Sequence, residues 1–213
     1  MRTSSKAAIL GGGAVLAAWT AWGLYSIRSA ESIQYERIRA LDGVELRRYP
    51  ATVRVETTAP DQITAFRRLF RYISGANERT ASIAMTAPVA TNGGETLSMT
   101  APVRSGSDGD GDTYRMAFYL PEEYRLETAP APTDPTVRLV GEPPRRLAVT
   151  RFSWYAPGWR VERRERSLLT TLDDAGVETR GEPFLLRYND PWTPPFLRRN
   201  EVAVEVIDRG STG

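Results

Sequence analysis

The stretch from Thr58 to Val103 constrains this chain more than any other, because it joins an amphipathic helix to two nearly identical strand-like segments. Ile63, Phe66, Leu69, Phe70 and Ile73 recur at helical spacing and predict a helix with one apolar face. Thr58, three residues ahead of Asp61, suggests a capping box, with Pro60 tolerated in the first turn. Gly75 stands where a left-handed residue would close the helix. Ala-Met-Thr-Ala-Pro-Val then occurs at 84–89 and Ser-Met-Thr-Ala-Pro-Val at 98–103, separated by a turn signal over Thr91 to Glu95. In each copy alternate residues are apolar: Ile83, Met85, Ala87 and Val89, then Leu97, Met99, Ala101 and Val103. Period two predicts a hairpin with one buried face. Pro88 and Pro102 place these segments at a strand end, a bulge or an edge.

Two absences narrow the chemistry. The chain has no cysteine and no histidine, which removes disulfides, thiolate nucleophiles and every Ser-His or Cys-His catalytic device. A zinc site would have only carboxylates to use. Lysine plus arginine number 28 against 26 acidic residues, so charge gives no electrostatic case for nucleic acid. A carboxylate pair acting on a small molecule stays open, through Glu122, Glu123 and Glu201. The plainer reading of Glu122 and Glu123 is a solvated turn after Pro121. The run Arg198 to Glu201 suits either an anion site or a structural network pinning the last strand.

Ala7 to Ile27 carries no charge. At about 1.5 Å per residue it reaches roughly 31 Å, the thickness of a bilayer core. Arg2 and Lys6 precede it, and Trp19, Trp22 and Tyr25 gather toward its far end. The alternative is a cleaved signal peptide, but Arg28 stands where a cleavage site wants a small residue. The expected organisation is an anchor or signal segment over 1–30, one domain over 33–208 and a tail over 209–213. The expected partner of residues 7–27 is a lipid bilayer, with the domain on the extracytoplasmic side.

Within the domain, Val44 to Thr57 reads as a strand or two kinked at Tyr49 and Pro50, and Tyr114 to Leu120 as another strand. Residues 105–112 form a polar, glycine-rich loop. Its Asp108, Asp110 and Asp112 imitate the opening of a calcium loop, but Tyr119 occupies the position that needs the bidentate acid. The order then repeats: strand over Arg146 to Trp154, helix over Val161 to Ala175 with Val161, Leu168, Leu172 and Ala175 on one face, then strands over Phe184 to Tyr188 and Glu201 to Ile207. Two strand-helix-strand-strand halves predict an α+β fold, a pseudo-symmetric antiparallel sheet or open barrel with two packed helices.

Several blocks together resemble the SOUL family of haem-binding proteins: Phe66 to Val89, Tyr119 to Tyr124, Arg146 to Ser153 and Tyr188 to Val202. The resemblance implies a distorted antiparallel β-barrel flanked by two helices, and haem or another tetrapyrrole as ligand. In animal members the proposed groove uses an arginine and two methionines on one face of the first helix. Alignment through Tyr72 and Asn77 puts Ile63, Phe66 and Phe70 at those positions. The apolar surface is kept and the propionate-pairing arginine is not; Arg67 or Arg71 could substitute. Met85 and Met99 could mould to a flat ligand, and Trp192, in a proline-rich loop, could close over it. An axial histidine cannot be supplied. Trp154 stands where the family usually has glycine, and Ala203 where many members have tryptophan. The expected role is a carrier or buffer. The alternatives are a small-molecule hydrolase of the related GyrI-like ligand-binding fold, or a protein-interaction module with a vestigial pocket.

Overall fold

The computed structural model describes residues 18–24, 32–78, 97, 100–107, 113–189 and 192–207. Met85, Met99, the first twin segment and the aspartates of the glycine-rich loop lie outside them. So does most of the expected anchor, of which residues 18–24 are helical. No helix among the described residues is long and apolar enough to cross a membrane.

Besides the helical residues 18–24, eleven strands and two α-helices are described. They run β1 (Glu36–Leu41), β2 (Val44–Tyr49), β3 (Thr52–Ala59), α1 (Gln62–Ile73), β4 (Asn77–Glu78), β5 (Thr100–Ser107), β6 (Tyr114–Tyr119), β7 (Ala131–Pro132), β8 (Val137–Glu142), β9 (Arg145–Phe152), α2 (Gly158–Asp174), β10 (Thr179–Arg187) and β11 (Asn200–Val206). Nine strands make one sheet in the order β1-β2-β9-β11-β10-β5-β6-β3-β8, with every named pairing antiparallel. Exchanging β2 with β8, β3 with β9, β5 with β10 and β6 with β11 returns the same central order. The expected duplication is therefore present, with its pseudo-two-fold between β5 and β10. Each half lends its leading strand to the other: β2 pairs with β9, and β8 with β3.

The sheet is not a closed barrel, which corrects the expectation: β1 and β8 are its two edges. It is nevertheless tightly curled. Strands β2 and β3 are six positions apart in the sheet yet joined only by Pro50 and Ala51, and β8 and β9 are six apart yet joined by Pro143 and Pro144. Three Cα steps reach at most roughly 11 Å, whereas six strand spacings in a flat sheet would need about 29 Å. The two ends must bend toward each other.

Strand periodicity sorts side chains onto two faces. Val53, Val55, Met116 and Phe118 meet Ala65, Leu69, Tyr72 and Ile73 of α1. Val44, Ala148, Phe152, Val202 and Val204 meet Leu168 and Leu172 of α2. The opposite, inner face carries Tyr49, Leu147, Val149, Phe184, Leu186 and Ala203.

Three local expectations need correction. Asp61 itself caps α1: its Oδ1 accepts from the backbone N–H of Ile63 at 2.8 Å and of Thr64 at 2.9 Å, so Thr58 is not the cap. Ala175 is exposed and lies beyond the end of α2. The apolar residues of α1 split, Leu69 and Ile73 facing the sheet and Ile63, Phe66 and Phe70 facing away. Other expectations hold. Gly75 has φ 109° and Gly176 φ 64° at the two helix ends, where a side chain would be strained. Pro102 sits in a register shift between β5 and β6. Trp154 has φ 73°, the left-handed region that a glycine would enter freely. Its backbone is held there by hydrogen bonds to Pro195 and from Asn200.

Leu172 is fully buried between α2 and the sheet. Leu172→Ala should cost about 2–5 kcal/mol, read as a lower midpoint in urea denaturation with unchanged slope. A loss below about 1 kcal/mol would mean that α2 does not hold its half of the sheet.

Candidate functional site

Helix α1 presents an unusual outer surface. Ile63 is 62% exposed, Phe66 39% and Phe70 47%, so the three form an apolar strip open to solvent. The spacing of three and four residues aligns them along the axis. The Phe66 and Phe70 rings stack at 5.7 Å with planes 17° apart, and Phe66 also meets Phe118 edge-on at 5.7 Å. That second contact fixes Phe66 from below, since Phe118 is wholly buried. Arg67 is exposed on the same side, one turn from Ile63. Arg71 pairs with Asp134 at 3.2 Å, and Arg68 donates to the Thr58 carbonyl at 2.9 Å.

Met85 and Met99 lie outside the described residues, and Trp192 is not assembled with the strip. Trp192 is 78% exposed in the β10–β11 connection. There its carbonyl accepts from Trp19 Nε1 at 2.8 Å, whereas α1 packs on β3 and β6 in the other half of the sheet. Glu122 and Glu123 are exposed, as a solvated turn requires.

Glu201 is the centre of a structural network, one of the two readings open for its segment. It is fully buried on β11 and receives both terminal nitrogens of Arg47, at 2.8 and 3.2 Å. Arg199 Nε donates to it at 2.9 Å and the Tyr188 hydroxyl at 2.8 Å. Glu45 takes Arg47 Nε at 2.8 Å, so two guanidinium groups meet two carboxylates. Burial opposes ionisation of Glu201, but hydrogen bonds and charge from Arg47 and Arg199 outweigh it and hold the carboxyl below its ordinary range. Burial, and then the charges of Glu201 and Tyr49, push the Tyr188 hydroxyl well up. It remains a donor at neutral pH.

A second inner-face group was not visible in the sequence. Arg54, Arg104 and Arg145 converge on Glu142, where Pro143 and Pro144 carry the chain across the curl. Its members come from four strands, and no spacing along the chain brings them together.

With this geometry in view, comparison with known proteins is informative. Residues 30–205 match the family model described as SOUL heme-binding protein. The chain belongs to that family. Heme-binding protein 1 of Mus musculus is 26% identical over 184 residues, covering 85% of this chain and 88% of that protein. Heme-binding protein 1 of Xenopus laevis is 26% identical over 135 residues, covering 63% and 65% respectively. Among solved structures, the C-terminal domain of EcmrR superposes with a TM-score of 0.53 at 10% identity, covering 82% of this chain and 99% of that one. That likeness concerns the fold alone. Family membership supports tetrapyrrole binding in general.

Removing the charge of Glu201 tests the network. Glu201→Gln should destabilise the domain by about 3–5 kcal/mol, because two buried guanidinium groups lose their shared counter-charge. The folded-state carboxyl titrates below its ordinary value of 4.5, so its stabilisation is complete above that value. It is lost as pH falls through the lower folded value. Thermal melts from pH 7 to 3 should show wild type and Glu201→Gln converging at the acid end.

Proposed function

We propose that this protein carries or buffers haem or a related tetrapyrrole on the outer face of α1, holding it by apolar contact and without histidine ligation. The observation that supports this most is the exposed strip of Ile63, Phe66 and Phe70, with the two aromatic rings stacked. A flat macrocycle has a wide apolar face, and three exposed large side chains in a row offer a matching platform. Arg67, exposed one turn from Ile63, would pair with a propionate. Met85 and Met99 belong to the same proposed site as adaptable contacts.

Magnitudes suit a reversible carrier. Covering roughly 300 Å² of apolar protein surface gives about 7–8 kcal/mol before association costs. Affinity in the micromolar range follows, and nanomolar binding would require metal ligation or paired propionates. The proposal extends to place: Ala7 to Ile27 anchors the domain to a bilayer, with the domain on the extracytoplasmic side. Intact protein should then sediment with membranes and resist carbonate extraction.

Titration of the protein with haem and with metal-free protoporphyrin, followed by Soret absorbance and tryptophan quenching, tests the site. Both should bind within roughly tenfold of each other, about 1.4 kcal/mol. Phe66→Ala and Phe70→Ala should weaken both alike with circular dichroism unchanged. Absence of saturable binding below about 100 μM, some 5–6 kcal/mol, would refute the reading. A strong preference for iron would replace apolar contact with methionine or tyrosine ligation.

A further inference from the structure

The curl of the sheet encloses more positive charge than it neutralises. Arg54, Arg104 and Arg145 meet at Glu142, Arg104 Nη1 lying 3.2 Å from its carboxylate. Glu56 takes Arg54 at 2.9 Å and Arg138 at 2.6 Å. Four guanidinium groups therefore share two carboxylates. The side chains of Arg54, Arg104 and Arg145 are only 13, 27 and 12% exposed. In the Arg47–Glu201 network the charges come closer to balance, with Arg47, Arg199 and the exposed Arg37 sharing Glu45 and Glu201.

Two cavities open onto this group and share Arg54, one of about 830 Å³ and one of about 210 Å³. Other charged residues also line them, Arg48, Arg115, Arg146, Arg180, Glu182 and Glu205, of which Arg48 pairs with Glu36 and Arg180 with Glu205. The Arg104 guanidinium lies 3.7 Å above the Phe184 ring, and Arg145 donates to the Tyr119 hydroxyl at 2.8 Å. Both head groups are thus oriented by contacts that do not neutralise them. Burial, together with repulsion from Arg54 and Arg145, pushes Arg104 down to about 10. It stays charged at neutral pH and lacks a full counter-charge.

A buried surplus of positive charge is costly unless an anion shares the space. Guanidinium groups present paired donors that match carboxylate and phosphate oxygens. We infer that the inner face of the curl is a binding site for a small multivalent oxyanion, carboxylate or phosphate, held by Arg54, Arg104 and Arg145. This site is separate from the outer face of α1 and stands whether or not a tetrapyrrole binds there.

Calorimetric titration of the full-length chain with sodium pyrophosphate and with citrate, at constant ionic strength, tests it and separates phosphate from carboxylate. At least one should bind saturably with Kd below about 1 mM and raise the melting temperature. Arg104→Met should weaken that anion at least tenfold while melting, without anion, at or above the wild-type temperature, because it removes surplus charge. Arg104→Lys, which keeps the charge but not the fork, should fold and bind more weakly. Phe70→Ala should bind the anion as wild type does. No saturable binding of either probe below about 10 mM would overturn the inference. So would equal binding by wild type and both Arg104 variants, or an Arg104→Met protein that melts far lower while still responding to anion.

Discussion

Two short connections control this molecule. Pro50–Ala51 and Pro143–Pro144 each join strands that lie six places apart in the sheet. Both contain proline, whose fixed φ and missing donor suit a sharp exit from a ladder. The chain can make these crossings only if the sheet folds toward itself. One consequence is a convex face wide enough for two helices. Another is a concave face lined by the alternate residues of β2, β3, β9 and β11. Those alternate residues include Arg47, Arg54, Glu56 and Glu201, so the curl brings charged side chains together on one buried face, with Tyr35 packed against Arg47.

Charge buried in this way needs internal partners. Around Glu201 each guanidinium finds a carboxylate, the Tyr49 hydroxyl accepts from Arg47 and the Tyr188 hydroxyl donates to Glu201. Removing either partner there exposes a full desolvation cost, so the network acts as a clamp on β2 and β11. Around Glu142 the same architecture is left with surplus cations and open volume. Packing alone does not account for the difference, since both groups lie on the same face of the same sheet.

The elements that carry the two convex clusters were legible in the sequence because they bury large apolar residues at regular spacing. Tyr114 to Leu120, Arg146 to Trp154 and Glu201 to Ile207 lie within one or two residues of the strands observed. Strands β1 and β8 were not foreseen. They are the sheet edges, and Glu36, Arg37, Arg39 and Arg138 are the charged residues that keep an edge from pairing with another chain. On α1 the width of the apolar stripe was read as one face. Ala65 and Tyr72, which the stripe omitted, complete the buried side and leave Ile63, Phe66 and Phe70 outside. The arginine group was invisible for a topological reason: it depends on where the chain crosses the curl, and residue spacing carries no record of that.

Internal symmetry supplies an independent measure of what α1 is for. Superimposing the buried pair Ala65 and Leu69 of α1 on Leu168 and Leu172 of α2 keeps the packing positions equivalent. The outer positions then diverge. Ile63, Phe66 and Phe70 correspond to Arg166, Leu169 and Asp173. A helix whose only task is to cover a sheet needs one apolar stripe, and α2 has charged residues at two of these three outer positions, with Leu169 exposed at the third. Helix α1 covers its half with Ala65, Leu69, Tyr72 and Ile73, and of its second stripe Phe66 touches the core through Phe118. Three large apolar side chains partly exposed to water lower solubility. Such a surface is retained at a cost unless something binds it, and the stacked aromatic pair within it belongs to α1.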